Sequence, residues 1–242
     1  MRIGAVIQAR TGSTRLPGKV LEPIEGLPLL AWCVERLRAA ARIDEVWVAT
    51  SVSPGDDAVV ELGKQRGFSV FRGSEDDVLS RFVGAVDAAG FDHVLRICGD
   101  SPFVDPSLVD ELIEAYMEAD VDYASNVGQR SYPRGLDAEV FRADKLRQVA
   151  AEATAPYARA HVTPNFYQNP DRYRLLSVGS PEDYSAYRWC VDEPTDLAMV
   201  RALAARLGRR DFNWREALAV VEAEPELAAI NAAVEQKKLE QG

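Results

Sequence analysis

Residues 8–21 read Gln8-Ala9-Arg10-Thr11-Gly12-Ser13-Thr14-Arg15-Leu16-Pro17-Gly18-Lys19-Val20-Leu21, and the meaning of this stretch decides the fold. It carries the cations Arg10, Arg15 and Lys19 and no acidic residue, inside a chain whose formal net charge is −10. A local positive cluster in a field that repels anions marks a place where an anion binds. Gly12 and Gly18 remove side chains where a ligand must approach the backbone, and Ser13 and Thr14 add hydroxyl donors. The apolar run Ile3 to Ile7 just before the stretch reads as a buried strand, and Leu29 to Leu37 just after it reads as a helix. A strand, a glycine-bearing basic loop and a helix gather polyphosphate at the carboxyl edge of a parallel sheet.

Spacing excludes two commoner phosphate loops. A Walker A loop places four residues between its first Gly and a Gly-Lys pair followed by Ser or Thr; here five residues separate Gly12 from Gly18, and Val20 follows Lys19. No G-x-G-x-x-G follows the first strand either. As a plain surface loop, the segment would simply pair its cations with carboxylates elsewhere. Three cations, two glycines and one proline within ten residues exceed what a linker needs.

At 242 residues and 47% hydrophobic, the chain can bury one large core, and a single domain over residues 1–242 is expected, with an excursion at about 128–178. No apolar run approaches the length of a membrane span, and Arg2 is followed directly by a strand pattern where a signal peptide would show an apolar core. A cytoplasmic location and no membrane partner are expected. Net acidity argues against a nucleic-acid surface, which needs a basic stripe larger than one loop. Cys33, Cys98 and Cys190 lie in apolar surroundings without C-x-x-C spacing and are expected to be buried thiols.

Strand patterns recur at Ile3–Ala9, Val46–Ser51, Ser69–Phe71 and His93–Ile97, with helical faces between them: Leu30, Val34, Leu37 and Ala41; Val59, Leu62 and Gly63; Val78, Phe82, Val86 and Ala89. This alternation predicts a layered α/β fold with a mostly parallel sheet. The fourth strand ends in Arg96-Ile97-Cys98-Gly99-Asp100-Ser101-Pro102, so Asp100 should face the same crevice as the basic loop. A carboxylate aimed at a bound triphosphate repels it unless a cation lies between. Asp100 is therefore a candidate Mg2+ ligand, against the plainer reading of a Gly-Asp-Ser-Pro turn. Asp105-Pro106 opens a helix with Asp105 as N-cap. Asp120-Val121-Asp122 matches a D-x-D metal motif, but its place between a helix end and the strand Tyr123–Val127 puts it at the amino edge. Further on, Trp189–Val191 reads as a last core strand, with Asp192 at its end like Asp100. Asp192 is the second candidate Mg2+ ligand, against a reading as a helix cap. Beyond Gly208 come helical segments with Trp214, Leu218, Val221, Leu227 and Ile230, and a charged tail ending Glu240-Gln241-Gly242.

Three motifs in order, the basic loop, Gly99-Asp100-Ser101-Pro102 and Val191-Asp192-Glu193-Pro194-Thr195-Asp196, resemble those of the cytidylyltransferases that activate acidic sugars. These include the 3-deoxy-manno-octulosonate and acylneuraminate enzymes and, most similar, the spore-coat polysaccharide type. The resemblance covers nearly the whole chain. It implies a Rossmann-like sheet of the nucleotide-diphospho-sugar transferase (glycosyltransferase A-like) type. The implied reaction moves CMP from CTP to an acidic-sugar acceptor in surface polysaccharide synthesis. Arg10, Lys19 and Asp100 then form the catalytic set, with Mg2+ on Asp100 and Asp192. The expected nucleotide contacts are Ala9, Arg10, Thr11, Gly12, Ser13, Arg15, Lys19, Arg96 and Gly99, together with Arg72, Ser74 and Asp76 near cytosine. In the excursion, Arg134, Asp137, Glu139 and His161 are the expected acceptor contacts, and a homodimer contact is expected there too. Cys98 stands where the acylneuraminate enzymes carry Gln, which counts against sialic acid as acceptor. Two rivals are a glycosyltransferase using Asp120 and Asp122, and a catalytically silent nucleotide-binding module.

Overall fold

Short β-branched runs bounded by turn residues become the strands, and the 3.6-periodic segments between them become the helices. In the computed structural model, which describes residues 1–236, the order is β1 (Ile3–Gln8), β2 (Pro23–Ile24), β3 (Leu27–Pro28), α1 (Leu29–Leu37), β4 (Glu45–Ser51), α2 (Asp57–Arg66), β5 (Ser69–Gly73), α3 (Val78–Ala89), β6 (His93–Cys98) and α4 (Pro106–Ala119). It continues with β7 (Tyr123–Ser125), β8 (Glu139–Arg142), α5 (Ala143–Glu152), α6 (Pro156–His161), α7 (Pro164–Tyr167), β9 (Leu175–Ser177), α8 (Pro194–Leu207), α9 (Trp214–Ala223) and α10 (Pro225–Ala229). The charged tail ending Glu240-Gln241-Gly242 lies outside the described residues.

Seven strands form one sheet in the order β5-β4-β1-β6-β8-β7-β9. It is mostly parallel, as expected; β8 runs against both its neighbours. Both faces are covered, which is why the central strands are near-continuous apolar runs. Alternation along β1 sends Ala5 and Ile7 to the core shared with α1, α4, α8 and α9, and Val6 to the core under α3 and α5–α7. The segment 128–178 is woven into this body: its β8 sits between β6 and β7, and α5 and α6 pack on α3. Among the described residues, no helix is long and apolar enough to cross a membrane.

Local chemistry explains the boundaries. Asp105 caps α4 as expected, accepting from the Ser107 and Leu108 amides at 2.9 and 3.1 Å, with Pro106 at the first helical position. The β2–β3 hairpin was not legible as strands because Pro23 and Pro28 look like breakers. Its turn is nevertheless encoded, since Glu25 and Gly26 both have positive φ, 46° and 75°, as a primed turn requires. The three-residue β9 was also missed, being short and partly exposed.

One expectation needs correction. Trp189–Val191 is not a strand; the chain there makes one isolated parallel bridge, between Arg134 and Arg188. The Trp189 N–H donates to the Arg134 carbonyl at 2.7 Å, and the chain then turns so that the Val191 N–H donates to the Asp100 carbonyl at 2.8 Å. The apolar character of the segment comes from burial of Trp189 and Val191 in the core rather than from sheet pairing.

That junction depends on Gly135, whose φ is +100° and where a Cβ would stand 2.6 Å from the Cys190 nitrogen. Gly26 has φ +75° and nothing within 4 Å. Both substitutions by Ala incur backbone strain, but only Gly135→Ala adds a collision with another backbone. Gly135→Ala is expected to lower the unfolding free energy by about 2 kcal/mol or more and Gly26→Ala by about 1 kcal/mol, measured by urea denaturation. Equal losses would show that the junction yields freely.

Candidate functional site

The carboxyl ends of β1, β4 and β6 open onto one edge, and the basic loop leaves β1 there. The loop is closed by its own backbone: the Gly18 amide donates to the Thr11 carbonyl at 2.8 Å, and Gly18 takes φ 75° to turn into a short 3-10 turn over Lys19–Leu21. Where β1 and β6 end, Gly99 lies against β1: its N–H donates to the Gln8 carbonyl at 2.8 Å, and a Cβ would fall 2.9 Å from the Ala9 Cβ. Gly99 thus serves close approach of the two strands.

Lys19 stands at the centre. Its buried ammonium donates to Asp100 Oδ2 at 2.9 Å, Asp192 Oδ1 at 2.9 Å and the Val191 carbonyl at 2.7 Å, using all three N–H bonds. Burial works against the Lys19 charge, but the adjacent Asp100 and Asp192 more than offset it and hold the group above the usual lysine range. Burial likewise opposes ionisation of Asp192, and Lys19, then Arg15 and Arg188, overcome it and hold Asp192 below the usual carboxylate range. Arg15 reaches Asp192 at 3.0 Å and Glu193 at 3.1 Å, and Arg188 donates to Asp192 at 2.7 Å. The two aspartates expected to share an ion therefore meet, across a cation supplied by the chain itself.

Asp192 does not cap α8. Glu193 takes that position in a capping box with Asp196, and the fully buried Asp196 accepts from the Asp192 and Glu193 amides at 2.9 and 3.1 Å. Asp196 also accepts from Arg188, so the turn carrying Asp192 is held from below.

Asp56, which the sequence reading passed over, anchors the loop. Its Oδ1 accepts from Thr11 N and Oγ1 at 2.7 and 2.8 Å, and its Oδ2 from Ser51 N and Oγ at 3.0 and 2.5 Å. Burial acts to raise its pKa, but the hydrogen bonds from Ser51 and Thr11 outweigh it and keep Asp56 below the usual carboxylate range. Ser53-Pro54-Gly55-Asp56 looked like an ordinary turn. Nothing in the sequence couples it to Thr11.

The remaining candidates divide. Arg10 is exposed and swings away from Lys19 to Glu75, at 3.6 Å, and Glu75 also lies against Gly12. Arg72 is engaged within the protein, donating to the Ser51 and Ser53 carbonyls at 3.0 Å and to Asp57 at 2.6 Å. Ser74 accepts from the Asp77 amide at 3.1 Å, while Asp76 is exposed in the same loop. Ser13 turns back on Thr11, its amide donating to the Thr11 carbonyl at 2.9 Å.

Arg96 and Glu139 are paired across β6 and β8, with Gln8 and the Tyr123 hydroxyl completing the set. They form a polar cluster within the sheet, with Glu139 and Tyr123 buried and Arg96 and Gln8 partly so. Asp137 is bound bidentately by Arg130, both contacts at 2.7 Å. Arg134 lies beside this pair, next to Cys190 and Arg188. His161 is the last residue of α6, the helix that packs on α3. Burial pushes the Cys98 thiol up to about 12 and raises Cys190 as well, so neither is a thiolate nucleophile at neutral pH.

Asp120 and Asp122 are elsewhere. Asp122 precedes β7, whose Tyr123 aligns through Phe141 with Val94 near the start of β6, whereas Asp100 follows the end of β6. Both pair with Arg174, at 3.1 and 3.5 Å. The D-x-D pair is a structural ion pair at the amino edge, which removes the feature that supported a glycosyltransferase.

The site thus offers fixed cations and two convergent carboxylates, an arrangement for holding and polarising a polyphosphate. Residues 5–236 match the family model described as cytidylyltransferase. The chain is 36% identical over 231 residues to the spore coat polysaccharide biosynthesis protein SpsF of Bacillus subtilis, covering 92% of this chain and 95% of that protein. It is 28% identical over 192 residues to 3-deoxy-manno-octulosonate cytidylyltransferase 2 of Hydrogenovibrio crunogenus, covering 74% of this chain and 73% of that one. The solved structure of a cytidylyltransferase from Leptospira borgpetersenii superposes with a TM-score of 0.92 at 28% identity, over 98% of this chain and 100% of that one. The family match spans the basic loop, both aspartates, most of β1 and the whole of β2 to β9, and the chain belongs to the cytidylyltransferase family.

Proposed function

We propose that this chain transfers CMP from CTP to a hydroxyl of an acidic sugar, with release of pyrophosphate, in the synthesis of a surface polysaccharide. The observation that carries the reading is the meeting of Asp100 and Asp192 across Lys19 Nζ, at 2.9 Å from each, beside Arg15. Membership of the family supports CTP as donor. Relatives named for spore coat polysaccharide synthesis and for 3-deoxy-manno-octulosonate support an acidic sugar as acceptor.

In this reaction the acceptor oxygen attacks the α-phosphorus, an O–P bond forms as the bond to the β-bridging oxygen breaks, and the hydroxyl proton leaves to water. Such a transfer needs positioning and charge neutralisation more than covalent help. Arg10, Arg15 and Lys19 neutralise the phosphates by their charge, and the loop backbone from Ala9 to Ser13 and at Gly99 lies against them. Arg72, Ser74 and Asp76 border the base. Arg96 and Glu139 support the floor, while Arg134, Asp137 and His161 face the acceptor. Asp100 and Asp192 would hold Mg2+. Their oxygens already lie at hydrogen-bond distance from one shared cationic nitrogen, and carboxylate pairs with phosphate oxygens suit this hard cation. When bound, Mg2+ would neutralise phosphate charge and acidify the attacking hydroxyl. The enzyme acts in the cytoplasm, whose reducing conditions suit three free cysteines, and as a homodimer, for which the exposed Tyr157 and Tyr167 on α6 and α7 offer contact area.

Thermal shift with each of the four nucleoside triphosphates and Mg2+ tests the donor. CTP at a hundredfold its Kd should stabilise the protein by about 2.7 kcal/mol, the others far less, and equal shifts would remove the claim to CTP. Asp100→Asn and Asp192→Asn should each lower pyrophosphate release by about 10²- to 10³-fold with the circular dichroism spectrum unchanged. Near-normal turnover in both would sink the assignment. Asp56→Asn places an amide against the Ser51 donors, so at pH 7 it should cost about 1–3 kcal/mol of stability and raise KM for CTP more than it lowers kcat. Because the folded-state pKa of Asp56 lies below its ordinary 3.8, its contribution is present above that value and is lost as pH falls through the folded pKa. Denaturation curves of the wild type and Asp56→Asn should therefore draw together below about pH 3.8.

A further inference from the structure

Among the described residues, three cations contact Asp192, and they are not held alike. Lys19 and Arg15 come from the basic loop, and the proposed transfer needs both for phosphate charge. When they turn to a nucleotide, Asp192 is left with Arg188, whose Nη2 donates to its Oδ2 at 2.7 Å. Arg188 is fixed from several directions. Its Nε and Nη2 donate to the two oxygens of Asp196 at 2.9 and 3.1 Å, a bidentate contact with a fully buried carboxylate. Its Nη1 donates to the Gln236 side-chain oxygen at 2.7 Å.

The remaining holds come from the segment after α9. Leu227 of α10 is buried in the core, and α10 packs on α8 and α9, which brings the chain back towards the start of α8. Two residues beyond α10, Asn231 is buried, and its Nδ2 donates to the Arg188 carbonyl at 3.0 Å and to Asp196 Oδ1 at 2.9 Å. One amide thus joins the backbone of Arg188 to the carboxylate that grips its guanidinium. Asp196 also accepts from the Asp192 and Glu193 amides, so the backbone and the side chain of Asp192 depend on the same group. A buried ionic network of this kind is a poor source of stability, because desolvation offsets the attraction. What it supplies is a fixed position.

We infer that Asn231 and Gln236 are positioning residues for the transfer: they lock Arg188, and Arg188 keeps Asp192 in place while Lys19 and Arg15 move to the phosphates. This rests on the proposed cytidylyl transfer. Both residues act through Arg188 and not on a ligand. The segment after α9, which carries no recognisable motif, thereby becomes part of the machinery at the carboxyl edge.

The test uses the full-length protein. Asn231→Ala removes the amide. Gln236→Glu sets a carboxylate at Arg188 Nη1 that competes with Asp192 for the guanidinium, and because Gln236 is exposed this variant should fold as the wild type does. Without nucleotide, the melting-temperature losses of Asn231→Ala and Asp192→Asn should be non-additive, the double variant losing less than the two singles together; additive losses would show that the network does not reach Asp192. With CTP, the extra melting shift that Mg2+ adds over EDTA should shrink in Asn231→Ala and Gln236→Glu, while the shift in EDTA is retained. Pyrophosphate release is followed with 3-deoxy-manno-octulosonate, N-acetylneuraminate and glucuronate as acceptor probes. Both variants should lower kcat about 10- to 100-fold with KM for CTP near that of the wild type, and Gln236→Ala, which adds no charge, should lose less than Gln236→Glu. A residue kept only for packing would lower the melting temperature and leave kcat and the Mg2+ increment unchanged, and that result would overturn the role assigned here. If CTP fails to shift the wild type, the proposed transfer is at fault, and the nucleotide-free melting data decide the link from Asn231 to Asp192 by themselves.

Discussion

A single ammonium group ties three distant parts of this chain together. Lys19 follows β1, Asp100 follows β6, and Asp192 lies in the turn before α8, and all three meet within hydrogen-bond distance. Two carboxylates brought this close repel each other, and their burial worsens the cost; the lysine makes the arrangement stable. Arg15 and Arg188 complete the neutralisation of Asp192. Around this point the rest of the carboxyl edge is organised.

The scaffold holds the charged groups through hydrogen bonds to backbone donors. Asp56 fixes Thr11 to the end of β4, Asp196 fixes the Asp192 turn to α8, and the Asp100 carbonyl receives the Val191 amide. Each anchor is a buried carboxylate or carbonyl satisfied by backbone donors, which gives a fixed geometry at little conformational freedom. The sheet contributes direction: parallel strands place the ends of β1, β4 and β6 on one edge, while the D-x-D pair at the start of β7 is turned to the other.

Apart from the β2–β3 hairpin, the alternating strands and helices from β1 to α4 were legible because each is encoded locally, by runs of β-branched residues or by apolar residues three and four apart. Asp105 as a cap was legible for the same reason, since its partners are two and three residues away. Trp189–Val191 misled because burial alone yields the same apolar composition as a strand. The Thr11–Asp56 anchor gave no signal. A turn that binds a loop 45 residues away looks like any other turn.

Taken by itself, the amino-acid sequence determined the α/β class, the basic loop after the first strand, and Asp105 as a helix cap, since these depend on residue type and short spacing. Tertiary structure alone decided what those charges face. It turned Arg15 and Lys19 onto the aspartates, sent Arg10 to Glu75, and neutralised Glu139 with Arg96. The Lys19 contacts span 81 and 173 residues, and an ion pair formed over such separations is set by where strands cross and turn. Charge carries no label for its partner, so only the folded chain can assign one.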